Sequence, residues 1–374
     1  MITRSARFRF KHLLVIAAAA LLLAELGMWI AAPLADPYKL ERQTATYIRR
    51  AHPPHSALRF EAEPGLPGMK GVTRWTTNNL GFRGDELVSP KPVDELRVFL
   101  IGGSSTECLI LDDGDSLDAV VQRTMQERVA DRTQVRVYNA GLSGDRSDDH
   151  VAILTQRIVH LQPDLIVVFA GINDLLAAIH GHDYLHLPTQ ARPPWMLLAT
   201  QSQLGRLAFY SVQLKLPVRE LSQDEPWVTS YQYGVKRQKS ARAASGPPTF
   251  DTRGYVNNLR TLAGVAAGHG VALIFVTQQT TWNSDVDSTA KDWQWLLNVD
   301  NVRYAEGDMH QALERMNDSM RQIANSMDVP LYDLARLMPK STEFFYDDVH
   351  FNTNGARVAG TQLAAVILER IARD

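Results

Sequence analysis

The sequence predicts an α/β fold: a three-layer α/β/α sandwich around a central parallel sheet of about five strands. Three observations lead there. From residue 95 onward, short apolar runs alternate with helix-length segments. Several runs are apolar on both faces, as strands buried between two helix layers must be. Strand–helix–strand alternation also implies right-handed crossovers, and so parallel pairing. At 45% hydrophobic and 21% charged residues, the chain has material for a full core.

Taken in order, the first segment is not part of that sheet. "MITRSARFRFKH" carries Arg4, Arg7, Arg9 and Lys11 and no acid, and the apolar stretch "LLVIAAAALLLAELGMWIAAPLA" follows at 13–35. A stretch of about 20 apolar residues spans a bilayer core, and positive flanks stay cytoplasmic. Residues 1–35 therefore read as a transmembrane signal-anchor with the remainder exported to a periplasmic or extracytoplasmic compartment. A cleaved signal, giving a secreted protein, and a buried soluble helix are the competing readings. Glu25 is a cost inside the stretch. Residues 36–94 contain "HPPH", "EPGLPG" and "SPKP", which break regular elements. They read as a linker and lead-in arm, ending in "TNNLGFRGDEL" at 77–87.

The strands are "LRVFLI" (96–101), "VRVYN" (135–139), "LIVVFA" (165–170), "ALIFVT" (272–277) and "VPLYDL" (329–334). Helices are expected at 115–130, 147–160, 251–268, 308–327 and 354–372. Residues 178–250 interrupt the rhythm and read as an insertion, a candidate lid or substrate wall.

In such sheets the ligand site lies beyond the carboxyl ends of the strands. After the first strand comes "GGSST". It lacks the lysine of a phosphate loop, and G-x-G-x-x-G fails because 104 is Ser and 107 is Glu. Alone, Ser104 and Ser105 read as a turn and a helix cap. After the second strand, Gly141 and Gly144 permit a tight loop. After the third, Asn173 can aim its amide into the site, or cap a helix. Before the last helix, Asp347 and His350 stand three apart. That spacing lets a carboxylate hold an imidazole whose other nitrogen acts as a base.

Together these residues resemble the SGNH (GDSL-type) hydrolase family, over about residues 95–374. Gly102-Gly103-Ser104 corresponds to the family's Gly-Asp-Ser block, Gly144 to its second block, Gly171-Ile172-Asn173-Asp174 to Gly-x-Asn-Asp, and Asp347-Asp348-Val349-His350 to Asp-x-x-His. Two positions depart: Gly103 replaces the aspartate, and Cys108 the usual later glycine. The resemblance implies a flavodoxin-like sandwich and a serine esterase. Ser104 would be nucleophile, His350 base and Asp347 its orienting partner. The Ser104 and Gly144 N–H groups and the Asn173 amide would form the oxyanion hole. No cofactor or metal is implied. The substrate is an acyl ester, with acetyl a candidate group and an envelope or extracellular glycan a candidate alcohol. An O-acyltransferase with the same triad, and a non-catalytic glycan-binding or assembly protein, remain alternatives.

Two further residues are expected near substrate. Trp282 could stack on a sugar or pack beneath the insertion. His180, in "HGHDYLH" with His182 and His186, opens the insertion; no carboxylate-rich ligand partner suggests a metal there. The net charge of −2 and the absence of basic stripes give no sign of a nucleic-acid partner. The single cysteine, Cys108, excludes an internal disulfide.

Overall fold

The computed structural model describes residues 4–31, 33–34, 52–129, 133–181, 194–212, 227–228, 240–282 and 288–372. The main elements in chain order are α1 (Arg4–Ala31), β1 (Ala57–Glu61), β2 (Val72–Thr76), β3 (Glu95–Gly102), α2 (Ser104–Glu107), α3 (Leu117–Gln126), β4 (Gln134–Asn139), α4 (Ser147–Gln156), β5 (Leu165–Phe169), α5 (Ile172–Ile179), α6 (Pro194–Ala199), α7 (Gln203–Val212), α8 (Arg253–Gly268), β6 (Ala272–Val276), α9 (Glu306–Ser326), β7 (Leu331–Tyr332) and α10 (Thr353–Ile371). The chain forms two compact units. One is Thr44–Leu187 with Pro226–Asp374; the other is Met1–Gln43 with Pro188–Glu225.

The larger unit is built on a five-stranded sheet of order β7-β6-β5-β3-β4. Every pairing is parallel, with Val98 opposite both Val137 and Leu165. Alternate side chains along β3 face opposite ways. Phe99 and Ile101 join Leu154 of α4, Leu259 and Leu262 of α8, and Leu313 and Met316 of α9 on one face. Val98 and Leu100 join Val121 and Met125 of α3 and Leu363 and Ile367 of α10 on the other. That makes the three expected layers. Gly360 lets α10 lie close on α3: a Cβ there would meet Val120 Cγ1 at 2.7 Å.

The chain order places β4 on one side of β3 and β5 on the other. The crossover direction therefore reverses at β3. A crevice opens at the carboxyl end of a strand where this happens, and the next residues are Gly103 and Ser104.

The segment read from its prolines as an arm packs closely on this unit. β1 and β2 pair antiparallel, and Trp75, Phe82 and Leu87 are buried in the two core clusters. Arg83 bridges Asn139 at the β4 edge, each residue's N–H donating to the other's carbonyl at 3.0 Å.

The smaller unit, in its described residues, holds α1, α6 and α7. In α1 the window Lys11–Ala31 has a mean hydropathy of 2.3 and is long and apolar enough to cross a membrane. Much of the insertion, including His182 and His186, lies outside the described residues.

Candidate active site

Ser104 opens α2, a four-residue helix directly after β3. As a first-turn residue its backbone N–H has no acceptor within the helix. Its side chain meets the far end of the chain: Ser104 Oγ lies 2.7 Å from His350 Nε2. His350 Nδ1 lies 2.7 Å from Asp347 Oδ2 and 2.9 Å from Oδ1. The three residues thus form one hydrogen-bonded line, brought together by folding from positions 246 apart in sequence. Such a line can pass the serine proton to the imidazole as Oγ attacks a carbonyl, while the carboxylate holds the ring in one tautomer.

Asp347 and His350 lie on a tight loop rather than a helical turn. The loop is closed by a bridge between Phe345 and Phe351 and by Tyr346 N–H donating to the His350 carbonyl at 3.1 Å. Asp347 Oδ1 accepts from the backbone N–H groups of Val349 and His350 at 3.0 and 2.9 Å, and Oδ2 from Trp295 Nε1 at 3.1 Å. The carboxylate is therefore fixed before it meets the ring. Tyr346 stacks on the imidazole, with centroids 5.4 Å apart. Burial works to lower the His350 pKa, but the charge of Asp347 and its hydrogen bond outweigh it, and the net shift is upward from 6.5.

The neighbours of these residues point elsewhere. Ser105 is buried; its hydroxyl donates to the Val349 carbonyl at 3.3 Å and accepts from Gln278 Nε2 at 3.4 Å. Asp348 is buried too. It accepts from Trp282 Nε1 and Trp295 N at 2.6 Å each and from Leu296 N at 3.1 Å. Burial, and then the charge of Asp347, push its pKa up.

Asn173, at the start of α5, donates to the Asp145 carbonyl at 2.8 Å, so its amide lies beside the serine turn. Gly103 makes room for it: a Cβ at 103 would sit 2.6 Å from Asn173 Nδ2. Gly144 has a φ of 84°, the left-handed region that glycine enters freely. A small cleft is lined by Gly103, Ser104, Asp145, Gly171, Asn173 and Gln278.

Two expected substrate contacts are placed differently. Trp282 is fully buried, its indole spent on Asp348, so it presents no ring face for stacking. It belongs to the core beneath the Asp347–His350 loop. His180 is partly exposed at the end of α5 and pairs with Asp300.

Several supporting residues carried no sequence signal. Arg83 is buried and donates to the carbonyls of Glu107, Cys108 and Leu111 at 2.8, 2.7 and 3.1 Å, clamping the end of α2. Glu107 accepts from Ser143 N at 2.7 Å and from its hydroxyl, and lies 2.8 Å from His52 Nε2. It ties the loop carrying Gly144 to the helix carrying Ser104. An acid in a first helical turn ordinarily reads as complementing the helix dipole, which hid this role. Cys108 closes α2 at a φ of 51°. That left-handed position explains why a glycine is usual there; a side chain costs about 1–2 kcal/mol.

A model of the GDSL-like Lipase/Acylhydrolase family matches residues 100–358. A search of curated proteins found no match. Among solved structures, similarity extends to LAE5, an alpha/beta hydrolase enzyme from the metagenome of Lake Arreo, Spain, at 18% identity and a TM-score of 0.41, covering 73% of this chain and 95% of that one. A lipase/acylhydrolase from Enterococcus faecalis matches at 16% identity and 0.40, covering 73% and 96%. Axe2, an acetylxylan esterase from Geobacillus stearothermophilus, matches at 15% and 0.40, covering 76% and 96%.

Proposed function

The chain belongs to the GDSL-like lipase/acylhydrolase family of serine ester hydrolases, and on that premise we propose that it cleaves small acyl esters through a Ser104–His350–Asp347 acyl-enzyme cycle. The observation that carries this reading is the unbroken hydrogen-bonded line from Ser104 Oγ through His350 to Asp347.

In the first half-reaction Ser104 Oγ attacks the ester carbonyl and its proton passes to His350 Nε2. The oxyanion meets the N–H groups of Ser104 and Gly144 and the side-chain amide of Asn173. The intermediate collapses, the C–O bond to the alcohol breaks, and the alcohol leaves with the proton from His350. Water then repeats the sequence on the acyl-serine, releasing the acid and restoring the hydroxyl. Asp347 orients the ring. The cleft leaves little room beside Ser104, which favours a short acyl group such as acetyl.

In this reading α1 is an uncleaved anchor: Arg4, Arg7, Arg9 and Lys11 stay cytoplasmic and the catalytic unit is exported. The apolar window of 21 residues corresponds to about 31 Å of helix, matching a bilayer core of about 30 Å.

The test is a serine-reactive phosphonate on wild type, Ser104→Ala and Ser105→Ala, followed by esters from acetyl to octanoyl. Labelling lost only in Ser104→Ala, with acetyl esters cleaved fastest, is the expected result. Labelling that survives Ser104→Ala would overturn the nucleophile. Acyl transfer to added sugars without hydrolysis would replace hydrolase by transferase.

A further inference from the structure

The apolar window of α1 contains an acid, and the structure shows what receives it. Glu25 lies six residues before Ala31, so about 9 Å from the end of the window along the helix axis. A bare carboxylate at that depth in hydrocarbon is costly. Here it is surrounded by donors: Gln203 N at 2.6 Å, Leu204 N at 2.9 Å and Trp29 Nε1 at 3.0 Å. Two of these are first-turn N–H groups of α7, which lack intrahelical acceptors and carry the positive end of the helix dipole. The start of α7 must therefore sit at the depth of Glu25.

A second set of contacts fixes the turn between α6 and α7. Arg206 is buried; it donates to the carbonyls of Thr200 at 2.9 Å and Leu34 at 2.6 Å and lies over the Trp29 ring at 5.2 Å. Leu34 N donates to Gln203 Oε1 at 2.6 Å. At Gly205 a Cβ would sit 1.8 Å from the Ala199 carbonyl, so only glycine allows the two helices to meet this closely. Both charges are turned inward, and large apolar side chains are turned outward: Trp195 is 64% exposed, Leu198 66% and Leu207 41%.

We propose that α6 and α7 are a second membrane element, embedded in the leaflet that holds the C-terminal part of α1, with Trp195 and Leu198 in contact with lipid. The inference rests on the reading of α1 as a membrane span. The occupant of this face is bilayer hydrocarbon and its interface, because Glu25 holds the start of α7 at its own depth along α1, the side chains turned outward are large and apolar, and they include the tryptophan that interfaces favour.

The full-length chain, reconstituted in phosphatidylcholine/phosphatidylglycerol vesicles, is spin-labelled at Trp195→Cys or Leu198→Cys. Buried Cys108 stays unlabelled in the folded protein. Relaxation by oxygen and by a water-soluble nickel chelate is compared at each site. Leu22→Cys, 71% exposed on α1, reports the span, and fully exposed Val93→Cys reports water. The expected result is strong oxygen and weak nickel relaxation at 195 and 198, as at 22, with nickel access several-fold below that at 93. Nickel access like that at 93, or shielding from both agents, overturns the proposal while leaving the anchor intact if site 22 still reads as lipid. Nickel access at site 22 overturns both.

Discussion

Two aspartates stand side by side at 347 and 348, and only one faces the imidazole. Asp347→Asn removes the acceptor that holds the His350 tautomer and should lower kcat by about 10⁴. Asp348→Asn leaves that bond in place but weakens the acceptor shared by Trp282, Trp295 and Leu296. It should lower the melting temperature while costing kcat far less. Steady-state kinetics and thermal melts on both variants separate the two, and comparable kcat losses would reverse the assignment. The raised His350 pKa sets the pH profile. The neutral ring is the base, so kcat/KM should rise with pH through a value above 6.5, and Asp347→Asn should move that limb to lower pH. The sign for stability is opposite: the protonated ring's pairing with Asp347 contributes fully below the unfolded pKa and is lost as pH rises through the folded one. Gly103 gives a third test. A methyl at 103 displaces the Asn173 amide, so Gly103→Ala should cost about 10²–10³ in kcat/KM, the usual loss for one oxyanion donor. Adding it to Asn173→Ala should then cost little more, because both act on one group.

α2 is too short to be stable alone, and its position depends on what grips its ends. Arg83 reaches in from the lead-in segment to take three carbonyls at its C-terminal side. Arg83→Met takes this donor from the Glu107 and Leu111 carbonyls, while the Cys108 carbonyl keeps the Leu111 N–H, and should cost about 2–4 kcal/mol of stability in urea titration. It should also lower kcat, because the turn carrying Ser104 loses its clamp; an unchanged kcat would show that Glu107 and the sheet suffice. The long elements were legible beforehand: β3, β5 and β6 from continuous apolar runs, and α8, α9 and α10 within about two residues, from their periodicity. The edge strand β7 spans only Leu331–Tyr332 rather than the six residues expected, the two that pair with β6. The clamp was not legible, since a lone arginine after "NNLGF" carries no periodic signal.

For the whole molecule, the strand order puts the candidate site at β3, and the apolar window puts a helix long enough to cross a membrane near the N-terminus. If α1 is retained, the full-length protein should stay with the bilayer through an alkaline carbonate wash, and intact-mass measurement should find the first 35 residues present. A soluble chain beginning near residue 36 would instead establish a cleaved signal. The proposed catalytic residues all lie in the larger unit, and the smaller holds the apolar helix and part of the insertion.

By itself the sequence determined the strand–helix alternation, the apolar window, and the residue types at the strand ends. These are local properties, set by periodicity, by length against a bilayer, and by which side chains can attack, accept protons or donate hydrogen bonds. Between neighbours of the same type the family pattern already favours Ser104 and Asp347, and the tertiary structure supplies a physical reason for the choice. Ser104 and Ser105, and Asp347 and Asp348, are chemically alike, and what separates them is the direction each side chain takes from its backbone and the partner it meets there. The tertiary structure likewise enclosed Trp282 in the core and gave Glu25 its donors on α7. Contacts between residues 178 positions apart leave no mark on either local stretch.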